Sequence, residues 1–172
     1  MTRWVTPGPE FAELFATFSR SAWRLETHPA YEVDEEQAAF ERYRSTGELN
    51  VAYLADWLDG VRVATAAGKR FERVRVLTEP LTDYLRFEMA VAEHNAAAGE
   101  DVRTLDEREA RTLGLPQRHD FWIFDDERVA ILHFSPTGRL LKVEIRDDPD
   151  TLTQHREWKT LARQRAEPAL AH

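Results

Sequence analysis

Residues 119–145, HDFWIFDDERVAILHFSPTGRLLKVEI, constrain the fold more than any other stretch. Phe121-Trp122-Ile123-Phe124 is a continuous apolar run between polar neighbours, the pattern of a strand buried on both faces. Asp125-Asp126-Glu127-Arg128 breaks the run and predicts a tight turn, after which residues 129–134 resume the strand pattern. Ser135-Pro136-Thr137-Gly138 predicts a second turn, because proline pre-sets φ at the second position of a type I turn and glycine at the fourth accepts a positive φ. Leu141, Val143 and Ile145 then alternate with Lys142 and Glu144, the period of a half-buried strand. The expectation is a three-stranded antiparallel meander whose third strand is the wettest.

Upstream, Phe11, Leu14, Phe15 and Phe18 recur at helical spacing and predict a short helix over 9–20. Residues 21–26 switch to period two, with Trp23 and Leu25 on one face and Arg24 and Glu26 on the other. The His28-Pro29 step should end that strand, since the residue before proline is pushed out of the helical region. A helix over 34–43 is expected with Asp34 as its cap, then another over about 51–67 ended by Gly68. Residues 71–77 alternate as a strand. Pro80 suits the first position of a helix reaching Ala98, and 101–105 reads as a strand again. Strand–helix–strand at this length predicts a parallel βαβ unit. A helical turn is expected over 107–113, and Asp148-Pro149-Asp150 should cap and open a last helix with Leu152, Trp158, Leu161 and Ala162 inward. Residues 168–172 are expected to fray.

These elements make a single domain of class α/β, with α+β as the alternative. A mixed sheet joins the βαβ unit to the meander, helices pack on both faces, and a mostly helical part, 1–67, is appended to a core over 68–167. The length of 172 residues suits one domain with a real core. The absence of cysteine excludes disulfides and thiolate metal sites and fits a cytoplasmic setting. The opening MTRWVTPGPE lacks the apolar core of a signal peptide, and no run approaches the ~20 apolar residues of a membrane helix. A net charge of −8 argues against direct binding of nucleic acid, which depends on neutralising phosphates.

Several chemistries lack their motif. No His-Glu-x-x-His or paired helical histidines mark a metal site, so no metal or cofactor is expected; His133, in an apolar strand, reads as a hydrogen-bonded sheet histidine. Walker A, Gly-x-Gly-x-x-Gly and Gly-x-Ser-x-Gly patterns are absent. The best candidates for a binding site are Glu79, Asp83, Tyr84, Arg86 and Glu88, directly after a strand, because ligands in α/β sheets settle at the carboxyl ends of strands. Glu88 lies one turn after Tyr84 on the apolar side of its helix and needs a partner, with Arg24 or Arg75 in reach. Arg24 and Glu26 form a second candidate pair. For both pairs, a structural ion pair and a binding pocket stay open. The charge runs at 34–36 and 106–109 read as solvated surface.

Two resemblances add to this. The 71–105 unit followed by the meander resembles half of the phospholipase D-like fold. That family uses a His-x-Lys pair with a downstream Asp, and here His94-Asn95-Ala96 and His133-Phe134-Ser135 both lack the lysine. The phrases SAWRLETHPAY, AAGKRFERVRVLTEPLTDYLRFEMAVAEHNAAAGEDVR, HDFWIFDDERVAILHF and RDDPDTLTQHREWK resemble an uncharacterised family of small actinobacterial proteins. That family is commonly encoded beside helix-turn-helix transcription regulators. The resemblance implies a non-catalytic regulatory domain that binds a protein partner, such as a DNA-binding regulator, or a small ligand. The alternative is a hydrolase or transferase acting on a phosphodiester or nucleotide through an unrecognised site.

Overall fold

A computed structural model describes residues 1–171. The expected meander forms from β5 (Asp120–Phe124), β6 (Arg128–Phe134) and β7 (Leu140–Arg146), all antiparallel. β5 is buried along its whole length, while β7 exposes Leu141 and Lys142. The tight turn after β5 places Asp125 and Asp126 at φ 55° and 59°, which short acidic side chains tolerate better than most. Asp125 then caps the backbone N–H groups of Ser19, Arg20 and Ser21 at 2.8, 2.6 and 2.9 Å. At the second turn the Gly138 N–H meets the Ser135 carbonyl at 3.0 Å with φ at 91°; a Cβ there would lie 2.7 Å from the Ala30 carbonyl oxygen.

β2 (Ser21–Glu26) lies at the centre of the sheet, antiparallel to β5 and parallel to β3 (Arg70–Leu77). β3 is parallel in turn to β4 (Asp101–Asp106), the expected βαβ unit, with α4 (Asp83–Ala98) as its crossover. Two short strands escaped the sequence reading. β1 (Thr2–Val5) pairs with β7, and β8 (Glu167–Pro168) pairs with β4. The full order is β1-β7-β6-β5-β2-β3-β4-β8. Residues 1–67 are therefore no appendage, since they supply the strand that joins the antiparallel and parallel halves. Nor does the chain fray from 168: Pro168 pairs with Arg103, and Ala169 is buried against Ala92 and Val102. The rest of that expectation, at His172, lies outside the described residues.

Side chains alternate across this sheet, so each strand feeds two cores. On one face Trp23, Leu25, Val74, Phe121 and Ile123 pack with Leu152 and Ala162 of α6 (Pro149–Arg165) and Ala110 of α5 (Glu107–Thr112). On the other, Ala22, Phe71, Trp122, Phe124 and Leu132 pack with Leu14 of α1 (Pro9–Thr17) and with Leu58 and Val61 of α3 (Ala55–Ala66). α2 (Gln37–Thr46) rests on α4, with Phe40 and Tyr43 against Phe87.

Two capping expectations are corrected. Asp34 opens a one-turn 3-10 helix, Asp34–Glu36, and caps nothing; its carboxylate instead holds Arg139 from the β6–β7 turn at 2.9 Å. Pro80 precedes α4 rather than starting it, because the Thr82 side chain accepts the Leu85 N–H at 3.1 Å and begins the helix there. Asp148 does cap α6, accepting the Thr151 N–H at 3.0 Å. No helix among the described residues is long and apolar enough to cross a membrane.

Candidate functional site

The face of the sheet under α1–α4 is apolar at its ends and charged in the middle. Arg24 and Glu26 of β2 and Arg73 and Arg75 of β3 are the same-face positions where the two strands run parallel, with Arg24 opposite Arg73 and Glu26 opposite Arg75. Glu26, 2% exposed, takes all three arginines: Arg24 at 3.3 Å, Arg73 at 2.5 Å and Arg75 at 2.5 Å. Burial alone would raise its pKa, yet Arg75, Arg73 and Arg24 hold it at about 2. Each arginine then reaches a second carboxylate. Arg24 meets Asp120 at 3.3 Å, Arg73 meets Glu100 at 2.7 Å, and Arg75 meets Glu88 at 2.5 Å.

Asp120 is fully buried where β2 ends. It accepts from the Thr27 N–H and hydroxyl, each at 2.8 Å, from His28 Nδ1 at 2.9 Å and from the Tyr31 hydroxyl. Burial pushes its pKa up, and the His28 hydrogen bond and Arg24 more than offset this, leaving it at about 2. These bonds saturate the carboxylate, so Asp120 positions the start of the 27–31 loop.

Above the charges lies a cavity of about 310 Å³. Phe15, Trp57 and Trp122 form an aromatic wall, with Phe15 edge-on to both indoles at 5.5 and 5.0 Å between ring centres. α4 contributes a stripe at 4-3-4 spacing, Tyr84, Glu88, Val91 and Asn95, which is one face of a helix. Glu36 comes from the 3-10 turn before α2, and Tyr53 from a second such turn, Ala52–Leu54, before α3. Glu36 is 7% exposed and receives the Tyr84 hydroxyl at 2.5 Å. Burial, with Glu88 nearby, raises its pKa to about 7. Among the described residues the Tyr53 hydroxyl, Asn95 Oδ1, Arg24 Nε, Glu26 Oε2 and Arg75 Nε and Nη1 are buried along the cavity with no hydrogen bond, the last four belonging to ion-paired groups. Buried polar atoms are nearly always paired, so unpaired ones facing a cavity point to something that fills it.

The structure divides the sequence-derived candidates. Arg24, Glu26, Tyr84 and Glu88 all line the cavity, and Arg75 is the partner of Glu88. Glu79, Asp83 and Arg86 do not. Asp83 and Arg86 form an exposed pair at 3.0 Å on the outer side of the first turn of α4, and Glu79 faces Arg108 at 3.3 Å. The cavity lies across the face of the sheet under the helices, whereas the end of β3 is covered by α5, whose Glu107 accepts the Glu79 N–H at 3.1 Å. Glu36 corrects the reading of 34–36 as solvated surface, and Asn95 was missed. The 4-3-4 spacing that carries both Glu88 and Asn95 was the available signal.

His94 is exposed on α4, and His133 lies on the opposite face of the sheet at 3.2 Å from Glu144, so neither reaches the cavity. Among the described residues no group of three or more His, Cys, Asp or Glu could hold a metal ion.

Residues 9–171 match the family model described as "Domain of unknown function (DUF6879)". The chain belongs to this family. No curated protein matches it. Among solved structures it is similar to NucT from Helicobacter pylori, with a TM-score of 0.58, 10% identity and 98% of each chain covered. It is also similar to phosphatidylserine synthase from Haemophilus influenzae Rd KW20, with a TM-score of 0.50 and 12% identity over 97% of this chain and 39% of that one. At such identities the likeness is one of fold, in keeping with the phospholipase D-like resemblance of the βαβ unit and meander.

Proposed function

We propose that this chain is a non-catalytic, cytoplasmic regulatory domain that binds a small ligand in the cavity between α1–α4 and the sheet and responds through a protein partner. The observation that carries this reading is the cavity itself, with its aromatic wall, a floor of rigidly paired charges, and the unpartnered Tyr53 hydroxyl and Asn95 Oδ1. Its 310 Å³ lies at the small end of ligand pockets, which span about 300–1,000 Å³. The partner class, a helix-turn-helix regulator, rests on the resemblance to actinobacterial proteins encoded beside such regulators. DNA contact would then fall to the partner, in keeping with a net charge of −8.

The alternative, a hydrolase or transferase acting on a phosphodiester or nucleotide, is favoured by the two structural neighbours through their fold alone. The charges argue against it. Arg24, Arg73 and Arg75 each already meet two carboxylates, so none presents a free positive charge to a phosphate.

Equilibrium dialysis of the purified chain against a metabolite extract, read by mass spectrometry, tests the ligand. One or a few compounds should concentrate with the wild type. Val33→Trp should lose them, because Val33 lines the cavity while remaining 39% exposed, and a larger side chain there obstructs entry without entering the core. No enrichment, or enrichment unchanged in Val33→Trp, overturns the reading.

A further inference from the structure

The unused hydrogen-bonding capacity of the cavity is unevenly distributed. Glu36 uses one oxygen for the Tyr84 hydroxyl, and its Oε2 carries no hydrogen bond among the described residues. Glu88 meets Arg75 through Oε2 only. Asn95, 6% exposed, has a buried and unpartnered Oδ1. These are carboxylate or amide oxygens, whereas the unpaired donors along the cavity, Arg24 Nε and Arg75 Nε and Nη1, belong to guanidiniums already ion-paired to Glu26, and the Tyr53 hydroxyl can serve either way. Glu88 and Asn95 stand on the α4 stripe, and Glu88 is close enough to Glu36 to oppose its ionisation.

Charge points the same way. Three guanidiniums, of Arg24, Arg73 and Arg75, and three carboxylates, of Glu26, Glu36 and Glu88, line the cavity, and Glu100 and Asp120 add two more carboxylates behind the guanidiniums. Glu36 is the one with no arginine in contact, which is why burial and Glu88 raise its pKa to about 7. A ligand that donates hydrogen bonds and brings positive charge would pair the free oxygens and let Glu36 ionise. The remaining wall is aromatic, and although Arg24 and Arg73 already lie over the Trp122 ring at 5.7 Å each, it offers a flat ring a stacking surface.

On the reading that the cavity holds a small ligand, we infer that this ligand is a flat aromatic cation, an arylalkyl amine or an arylamidine. Its charged head lies among Glu36, Glu88 and Asn95, and its ring lies against Phe15, Trp57 and Trp122. Anionic ligands meet the carboxylates of Glu36 and Glu88 there, and uncharged ones leave the excess negative charge unbalanced.

Calorimetric titration with matched probes decides the point. Benzamidine and tryptamine carry the charge, benzamide and tryptophol are their neutral counterparts, and indole-3-acetate is the anion. The cations should bind at least tenfold more tightly than their neutral counterparts, and indole-3-acetate should not bind. Glu36→Gln keeps an acceptor for Tyr84 and should reduce the cation preference at least tenfold. Asn95→Leu, which replaces the unpartnered amide by an apolar side chain of similar size, should weaken the cations in the same way and gives a second reading should Glu36→Gln fold poorly. Neutral or anionic probes binding as well as the cations, with Val33→Trp abolishing them, overturn the ligand class while the cavity remains a binding site. The same holds if no probe binds and the compound enriched from the metabolite extract is neutral or anionic. No binding of any probe and no enriched compound overturn both the ligand class and the binding reading.

Discussion

Glu26 is the residue on which the charged floor depends, and its substitution gives a measurable magnitude. Its pKa falls from the ordinary 4.5 to about 2 although burial raises it, because Arg75, Arg73 and Arg24 surround it. At about 1.4 kcal/mol per tenfold change in proton affinity, the site, with burial opposing and the arginines prevailing, favours the carboxylate over the neutral acid by a net of about 3 kcal/mol. Removing one partner of a buried ion pair costs about 3–5 kcal/mol, so the two routes agree. Glu26→Gln should therefore destabilise the fold by about 3 kcal/mol at pH 7 in urea, which leaves the ion pairs unscreened. The pH dependence has a definite sign. A depressed folded-state pKa gives stability that is complete above the unfolded value near 4.5 and is lost as pH falls toward 2. The wild type should lose about 2 kcal/mol of its advantage over Glu26→Gln by pH 3. Asp120 is also held at about 2, where the His28 hydrogen bond and Arg24 overcome its burial, but it titrates in both proteins and cancels in the difference. A variant within 1 kcal/mol of the wild type at pH 7, or a gap that does not close on acidification, would refute the claim that the three arginines converge on a dry carboxylate.

Trp122 is 2% exposed within the aromatic wall, and Trp122→Ala should cost about 3–5 kcal/mol in equilibrium unfolding; a loss below about 1 kcal/mol would remove β5 from the centre of the core. Glu88→Gln should weaken benzamidine binding while lowering the melting temperature only slightly, because the 11% exposure of its side chain leaves the site partly wet; a large stability loss with unchanged binding would make the Arg75 pair purely structural. In fluorescence anisotropy at physiological salt the chain should not bind duplex DNA, in line with its charge of −8, and tight salt-sensitive binding would contradict this.

Much of this architecture was legible because the signals were periodic. The two-residue alternation of 141–145 and 71–77, and the unbroken run at 121–124, each mark strands that bury one or two full faces. β1 and β8 gave no such signal. Thr2–Val5 buries one residue of four, and Glu167–Pro168 is two exposed residues held by backbone pairing to β4. Caps were legible where local chemistry decides, as at Asp148, and not where a distant group competes. Asp34 has the right side chain for a cap, but Arg139, brought over by the β6–β7 turn, takes it. The site followed the same division. Helical phase alone placed Glu88 inward with Arg24 or Arg75 as its partner, and strand alternation put Arg24 and Glu26 on one face. Glu36 was hidden because an acidic run of three looks solvated; only the packing of its turn against Tyr84 shows that the third acid is buried while the first two stay exposed.

The placement of charge within the sheet bears on why it is there. Buried ion pairs add little net stability, and well-packed apolar residues of the same volume serve a core as well or better. On this same face of the sheet, Ala22, Phe71, Phe124 and Ala130 do that elsewhere along β2, β3, β5 and β6. Buried charge on this face of those strands is confined to Arg24, Glu26, Arg73 and Arg75, which border the cavity, and to Asp120, which holds Arg24 from the start of β5. Stability does not require that choice, and the proposed ligand binding offers a reason for it. Arg75, locked between Glu26 and Glu88, holds the Glu88 carboxylate in place, and the Tyr84 hydroxyl holds Glu36. A preorganised polar floor reduces the ordering cost of binding. The single carboxylate left without an arginine, Glu36, lies on the turn leading into α2. On the proposed reading the strand residues form the rigid part of the site, and Glu36 is the part whose charge a bound cation would change.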